Sequence, residues 1–331
     1  MKSIAFFNNK GGVGKTTLIC NVASYLSNYE DMKVLLIDAD PQCNATQLLL
    51  SEDRVETMYD SFDTFTIHSV IHPLSIGKGY AKDIEVITVD DYGIDLIPGD
   101  PRLALKEDLL SKDWQDSIAG DIRGLRTSFM FSELLGKCSH YDLVLFDMGP
   151  SLGSINRAVL LACDFFLSPM SIDIFSLRAI ENISVSIAEW RRKLLHGVEQ
   201  VDPSLKDDLP DHGAFRIKFL GYVAQQYIQK ARQGVKRPVD AYEKIMRRIP
   251  KHIETNFVKK LQPTFSSVNY RIGTIPNLHS LIPMSQSAHK PIFGLKAKDG
   301  VRGAHFNKVK DAEAIFESVA SRMVENLGAL S

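Results

Sequence analysis

The chain has 331 residues, 44% of them hydrophobic, enough to bury a large core in one large domain or two small ones. Its 39 lysines and arginines stand against 40 acidic residues, so no general electrostatic pull toward nucleic acid follows and any such binding needs a local patch. No stretch approaches the roughly 18–20 apolar residues of a membrane span, the opening apolar run is too short for a signal peptide, and Cys20, Cys43, Cys138 and Cys163 form no CxxC pair; a soluble cytoplasmic protein is expected.

Residues 3–7 (SIAFF) are a short apolar run that ends in Asn8-Asn9 and a glycine-rich loop. Helical spacing follows from Thr16 to Leu26. Further apolar runs occupy 33–37 (KVLLI), ending at Asp38, and 142–146 (DLVLF), ending at Asp147. Residues 165–168 and 217–223 give two more. Short continuous apolar runs with helical segments between them predict buried parallel strands: an α/β fold with a mostly parallel central β-sheet flanked by helices. Ligands bind such sheets at the carboxyl ends of the strands, where the polar motifs fall here.

The stretch from about 50 to 120 carries 15 acidic and 6 basic residues and contains a predicted hairpin over 85–98 (EVITV–DDYG–IDLIP). It reads as an acidic insertion between the second and third core strands, inside a single domain spanning 1–331. Residues 197–214 are polar with two prolines and read as a surface loop. Residues 215–260 are basic, with 12 Lys+Arg against 3 Asp+Glu. Residues 307–327 have helical periodicity and predict a closing helix.

Residues 10–17 read KGGVGKTT. The ordinary phosphate-loop pattern is G-x-x-x-x-G-K-S/T; here Asn9 stands in the place of the first glycine and Lys10 is added. Gly11, Gly12 and Gly14 permit the backbone angles that turn successive N–H groups, with that of Val13 between them, toward phosphate oxygens. Lys15 places a positive charge on the β/γ-phosphates, and the helix starting near Thr16 and Thr17 adds its N-terminal dipole. The Thr16 hydroxyl suits Mg²⁺. A bare glycine turn before a helix explains this octapeptide poorly.

The octapeptide with its leading lysine resembles the deviant Walker A loop of the ParA/MinD family of P-loop ATPases. The resemblance implies ATP and Mg²⁺ as ligands. It implies that Lys10 reaches a second copy's nucleotide, so that ATP binding and homodimer formation are linked. LLIDADPQCNAT is similar to the family's D-x-D-P-Q-G-N-x-T, with Cys43 where glycine is usual. The resemblance makes Asp40 the residue that positions the attacking water and gives Asp38 a water of the Mg²⁺ shell, although an aspartate there also suits a turn. Asp147 in LVLFDMGPSLG ends an apolar strand in the Walker B manner, near Mg²⁺. Gly149 replaces the family's first proline, which points to a more mobile loop. Residues 155–183, with Pro169 and Phe175, are similar to the segment after Walker B. Residues 274–291 resemble the stretch beside the adenine, which makes Pro276 and Asn277 candidate base contacts. The catalytic set is then Lys10, Lys15 and Asp40, and the metal set Thr16, Asp38 and Asp147.

Lys230, Arg232, Lys236, Arg237, Arg247, Arg248 and Lys251 fit a non-specific DNA surface, as in ParA proteins, or a solvated face balancing the acidic insertion. The final stretch AEAIFESVASRMVENLGALS carries three Glu and one Arg and fits core packing, not the basic membrane anchor of MinD-like proteins. Met148-Gly149 supplies no cysteine for an iron–sulfur cluster. The expected function is a slow ATPase switch for DNA partitioning, stimulated by a protein partner. The alternatives are an orphan regulator controlling a partner effector in a mobile-element or defence locus, and a metabolic enzyme of the dethiobiotin-synthetase kind. The lysine spacing and DADPQ disfavour the last.

Overall fold

The computed structural model describes residues 1–61, 64–210, 217–227, 229–232, 235–238, 244–259 and 268–331; at 208, 226–227, 229–232, 235–238 and 258 it describes the backbone alone. The strands are β1 (Lys2–Phe6), β2 (Val34–Ala39), β3 (Ile87–Val89), β4 (Ile94–Ile97), β5 (Leu143–Met148), β6 (Phe165–Ser171), β7 (Lys218–Tyr227), β8 (Gln229–Arg232), β9 (Val235–Pro238) and β10 (Arg271–Pro276). Eight of them form one sheet in the order β10-β7-β6-β1-β5-β2-β4-β3, and β8 and β9 pair as a separate hairpin. Every pairing in the large sheet is parallel except β3 with β4. The α/β sheet read from the apolar runs is therefore present.

The helices are α1 (Lys15–Tyr29), α2 (Asn44–Leu49), α3 (Glu52–Asp60), α4 (Ile67–Ser75), α5 (Glu107–Ile118), α6 (Ile122–Ser128), α7 (Met130–Lys137), α8 (Ser154–Ala162), α9 (Ile174–Gln200), α10 (Ile249–Ile253), α11 (Leu281–Ala288) and α12 (His305–Leu330). They cover both faces of the sheet, which is why β2 and β5 are buried at every position and apolar at all but Asp38 and Asp147. Along β5, Leu143 and Leu145 join the core under α1 and α12, while Val144, Phe146 and Met148 join the core under α4, α7, α8 and α9. The closing helix α12 buries Val309, Ala312, Phe316, Val319, Ala320, Met323 and Leu327, one stripe at helical spacing. It packs as core. No helix among the described residues is long and apolar enough to cross a membrane.

The predicted hairpin forms, but its second strand does more than decorate: β4 runs parallel to β2, with Leu35 opposite Asp95 and Ile37 opposite Ile97, and so widens the main sheet. The loop read over 197–214 begins later than expected. Helix α9 continues to Gln200 and a tight turn spans Pro203–Asp208, while 211–214 lie outside the described residues. Strand β10 was not predicted; its sequence RIGTIP is short and interrupted by Gly273. That glycine is needed for packing, since a Cβ there would stand 2.5 Å from a Val319 methyl on α12.

Candidate active site

The loop after β1 is shaped by two glycines in the left-handed region, Gly12 (φ 70°) and Gly14 (φ 79°), where a side chain would be strained. Gly14 is also the N-cap of α1. No described side chain caps that helix and its first turn carries no acid, so its amide hydrogens and positive dipole end face the loop. Asn8 anchors the loop from behind: its Nδ2 donates to Pro169 O (2.5 Å) and its Oδ1 accepts from Lys10 N (3.1 Å).

Asp38 and Asp147 lie side by side, because β2 and β5 pair in register there, and Phe6 of β1 faces Asp147 on the other side. Both carboxyls are fully buried. Thr16 donates its hydroxyl to Asp147 Oδ2 at 2.7 Å, and Lys15 Nζ stands 3.5 Å from Asp147 Oδ1. Oδ1 itself has no hydrogen bond among the described residues. Burial pushes the Asp147 carboxyl up from its ordinary value, with Lys15 and Thr16 working against it. Burial and the neighbouring Asp147 push Asp38 up to about 7, against the hydrogen bonds of Thr46 and Asp40. Asp38 Oδ2 accepts from Thr46 N (2.8 Å) and Thr46 Oγ1 (2.7 Å), and Thr46 Oγ1 in turn accepts from Gly99 N (2.8 Å).

Asp40 both turns the chain and faces the cleft. Its Oδ1 accepts from Gln42 N at 3.0 Å, and it lines the cleft beside the phosphate loop. Gly149 lies against it: a Cβ there would be 3.3 Å from Asp40 Oδ1. The missing proline therefore leaves room for this carboxylate. The loop is not left loose, because Asn156 Nδ2 donates to both Gly149 O (2.8 Å) and Ser151 O (2.6 Å). Cys43 takes the left-handed conformation (φ 54°) that explains the glycine usual at its position. Its thiol is buried, and burial pushes it up to about 12 despite the Tyr59 hydrogen bond.

Lys10 extends outward from the loop. It is 43% exposed at its side chain and pairs with Asp173 Oδ2 at 2.6 Å. Asp173 also caps α9, accepting from Ser176 N at 2.9 Å. Burial raises the Asp173 carboxyl, but the Lys10 and Ser176 hydrogen bonds outweigh it and hold the group below its ordinary value.

The loop, Asp40 and Pro150 open onto a cleft of about 1220 Å³. Its far walls are Leu48 of α2 and Leu50 just after it, the acidic Glu52, Asp53 and Glu56 of α3, and Gln286, Ser287 and His289 around the end of α11. All eight residues Lys10–Thr17 line it. Pro276 and Asn277 do not: Pro276 ends β10, and Asn277 Oδ1 accepts from His279 N at 2.9 Å. Of the basic residues, Arg247 and Arg248 are exposed just ahead of α10 and Lys251 is exposed within it. Lys230, Arg232, Lys236 and Arg237 lie on the β8–β9 hairpin, where the backbone alone is described. Residues 215, 216, 228, 233–234, 239–243 and 260 of the basic segment lie outside the described residues.

Sequence reasoning missed three residues that shape this site: Asn8, Asn156 and Glu107. Glu107, on α5 of the acidic insertion, accepts the backbone N–H of Ser154 and, at 3.3 Å, that of Ile155. It thus caps α8 from 47 residues away. Only Asn8 carried a sequence signal, a polar residue closing an apolar strand before the loop.

Residues 1–199 match the AAA domain family. The chain is 26% identical over 242 residues to the chromosome partitioning protein ParA of Myxococcus xanthus, covering 71% of this chain and 72% of that one. It is 25% identical over 294 residues to the chromosome-partitioning ATPase Soj of Thermus thermophilus, covering 87% and 92%. Among solved structures, a protein of Corynebacterium diphtheriae superposes with a TM-score of 0.75 at 27% identity, over 99% of both chains.

Proposed function

The chain belongs to the AAA domain family in its ParA-like branch of partition ATPases, and from that premise we propose that it is an ATP-operated switch that dimerises around its nucleotide and acts in DNA partitioning. The observation that carries the reading is the convergence of Lys15, Thr16 and the orphaned Asp147 Oδ1 at an uncapped helix N-terminus. In this reading the triphosphate takes the amides of Gly11–Thr17 as donors, and Lys15 exchanges Asp147 for the β/γ-phosphates. Asp40, whose carboxylate lines the cleft, orients the attacking water.

A divalent metal fits the residues present. Asp147 and Thr16, with Asp38 through water, form an oxygen-only donor set of the kind Mg²⁺ takes, and Asp147 Oδ1 is a buried acceptor with no hydrogen bond, faced by the Lys15 ammonium at 3.5 Å. Bound there, the ion would offset phosphate charge. Lys10 acts across the dimer, and the exposed Arg247, Arg248 and Lys251 support contact with DNA phosphates. The reading places the protein in the cytoplasm, where its four buried, unbridged thiols stay reduced.

The second reading is a regulator that controls a partner effector. The insertion favours it, since Glu107 caps α8 beyond Asp147 while Gly99 holds Thr46 beside Asp38. Calorimetric titration with ATP and Mg²⁺ tests what both readings share. Lys15→Ala should abolish binding, and unchanged affinity would remove the site assignment. ATPase activity with and without duplex DNA then separates the two, since only the partition switch responds to DNA.

A further inference from the structure

Glu107 stands outside the cleft, on the first turn of α5 in the acidic insertion, yet it holds the start of α8. That start has no restraint of its own: Gly153 is the N-cap and offers no side chain, and the first turn carries no acid. The Glu107 carboxylate supplies both, accepting the backbone N–H of Ser154 through Oε1 and, at 3.3 Å, that of Ile155 through Oε2. Gly153 leaves room for it. The backbone there is ordinary (φ −77°, ψ −175°), but a Cβ would collide with Glu107 Oε1. One turn further along α8, the Arg157 guanidinium lies 4.2 Å from the ring centroid of Trp114 on α5 and 6.0 Å from that of Trp190 on α9, a second grip of α5 on the same helix. Between the two grips is Asn156, buried, whose amide ties down Gly149 O and Ser151 O. Gly149 in turn lies against the Asp40 carboxylate.

The first N–H groups of a helix have no partners within it, so an uncapped first turn frays. Asn156 sits in that turn and can place the loop after Asp147 only if the turn itself is placed. We propose that Glu107 is a positioning residue for hydrolysis: by capping α8 from the acidic insertion it fixes Asn156, through Asn156 the loop at Gly149, and through that loop the Asp40 carboxylate. A displacement of about 1 Å in a catalytic group is enough to cost orders of magnitude in rate. This role rests on the reading of Asp40 as the residue that orients the attacking water, and it gives the insertion a hold on turnover without any contact to the nucleotide. The competing role is stability alone, a cap that holds α8 together. Such a cap would lower the melting temperature and leave turnover of the folded protein unchanged.

Single-turnover hydrolysis and calorimetric titration of the full chain with ATP and Mg²⁺, both well below the melting temperature, distinguish these roles. In Glu107→Ala turnover should fall about tenfold, while ATP affinity should stay within about twofold of wild type, because the phosphate loop is untouched. Glu107→Gln keeps one of the two acceptors and should stand between Glu107→Ala and wild type. Gly153→Ala reaches the same contact from the other side, pushing the carboxylate off the helix, and should reproduce Glu107→Ala even if that variant does not fold. The double variant should be no slower than either single one, since both remove one interaction. Emission from Trp114 and Trp190, the two tryptophans of the chain, should stay like wild type, because Arg157 still seats α8 on α5. Wild-type turnover in Glu107→Ala or in Gly153→Ala overturns the positioning role. So do fold-changes that multiply in the double variant, and so does a fall in ATP affinity equal to the fall in turnover with altered emission, the signature of a helix come loose. Wild-type protein that does not hydrolyse ATP, or Asp40→Ala that hydrolyses it normally, overturns the reading of Asp40 itself, and both results are visible before any Glu107 variant is compared.

Discussion

Lys10 Nζ sits 2.6 Å from Asp173 Oδ2, and the same carboxylate caps α9 through the backbone N–H of Ser176. The pair is partly exposed, so it is worth at most about 1 kcal/mol. It nonetheless gives Lys10 a resting place in its own chain. To neutralise a second copy's triphosphate, the lysine must leave it.

Lys10→Ala should keep ATP affinity close to wild type and lose nucleotide-dependent dimerisation, because Lys15 and the loop amides act within one chain. Asp173→Asn retains an acceptor for Ser176 and releases Lys10, and should favour the dimer by up to about fivefold. Size-exclusion chromatography with a non-hydrolysable ATP analogue reads both. A Lys10→Ala protein that dimerises and hydrolyses normally refutes the role across the dimer.

Asp40→Ala should bind ATP and hydrolyse it slowly, trapping the dimer. Gly149→Ala should act more weakly in the same direction, since its new Cβ would stand 3.3 Å from Asp40 Oδ1 and shift that carboxylate. Single-turnover kinetics with light scattering measures both. Wild-type turnover in Asp40→Ala moves the catalytic role to another residue.

Stability without ligands should fall as pH rises. Burial and Asp147 raise folded Asp38 from an ordinary 3.8 to about 7. Its contribution is fully present below the ordinary value and is lost as pH climbs through about 7. The melting temperature of nucleotide-free protein should therefore decline between pH 3.8 and about 7, the interval between the two values, and Asp38→Asn should flatten the decline. Mg²⁺ with ATP, which favours the ionised carboxylates, should raise the melting temperature more at the upper end. A flat wild-type profile would contradict the assignment.

Duplex DNA should bind the ATP form without sequence preference, and affinity should fall steeply with salt as counterions are released. Arg247 and Arg248 are exposed ahead of α10, and replacing both with alanine should weaken all duplexes alike and lower the salt slope by up to about 2. Fluorescence anisotropy across a salt series measures this. ATP-bound protein that ignores DNA at low salt favours the regulator.

Local chemistry was enough to locate much of this protein from its residues in order. The glycine-rich octapeptide, and the aspartates that close KVLLI and DLVLF, announce themselves because each stands where an apolar run meets a turn. The strands β1, β2, β5, β6 and β7 and the helix α12 follow from periodicity for the same reason: burial on both faces or along one stripe constrains every residue in the segment. The basic segment's charge was equally legible, but charge alone does not say which surface it serves.

What chain order left open are relationships between residues far apart. Nothing in RIGTIP marks a sheet strand until β7 offers it an edge and α12 demands a glycine at 273. Nothing in the acidic insertion marks Glu107 as the cap of α8, or Gly99 as the donor to Thr46, since both depend on β4 docking beside β2. Asp173 meets Lys10, and Gln225 meets Gly14, only because parallel pairing brings the carboxyl ends of β6, β7 and β1 together. Sequence by itself determined which residues have phosphate chemistry, because that depends on side-chain type and loop geometry within a few positions. The tertiary structure alone decided which groups restrain or complete them, because hydrogen bonds and buried charges are set by distance in space.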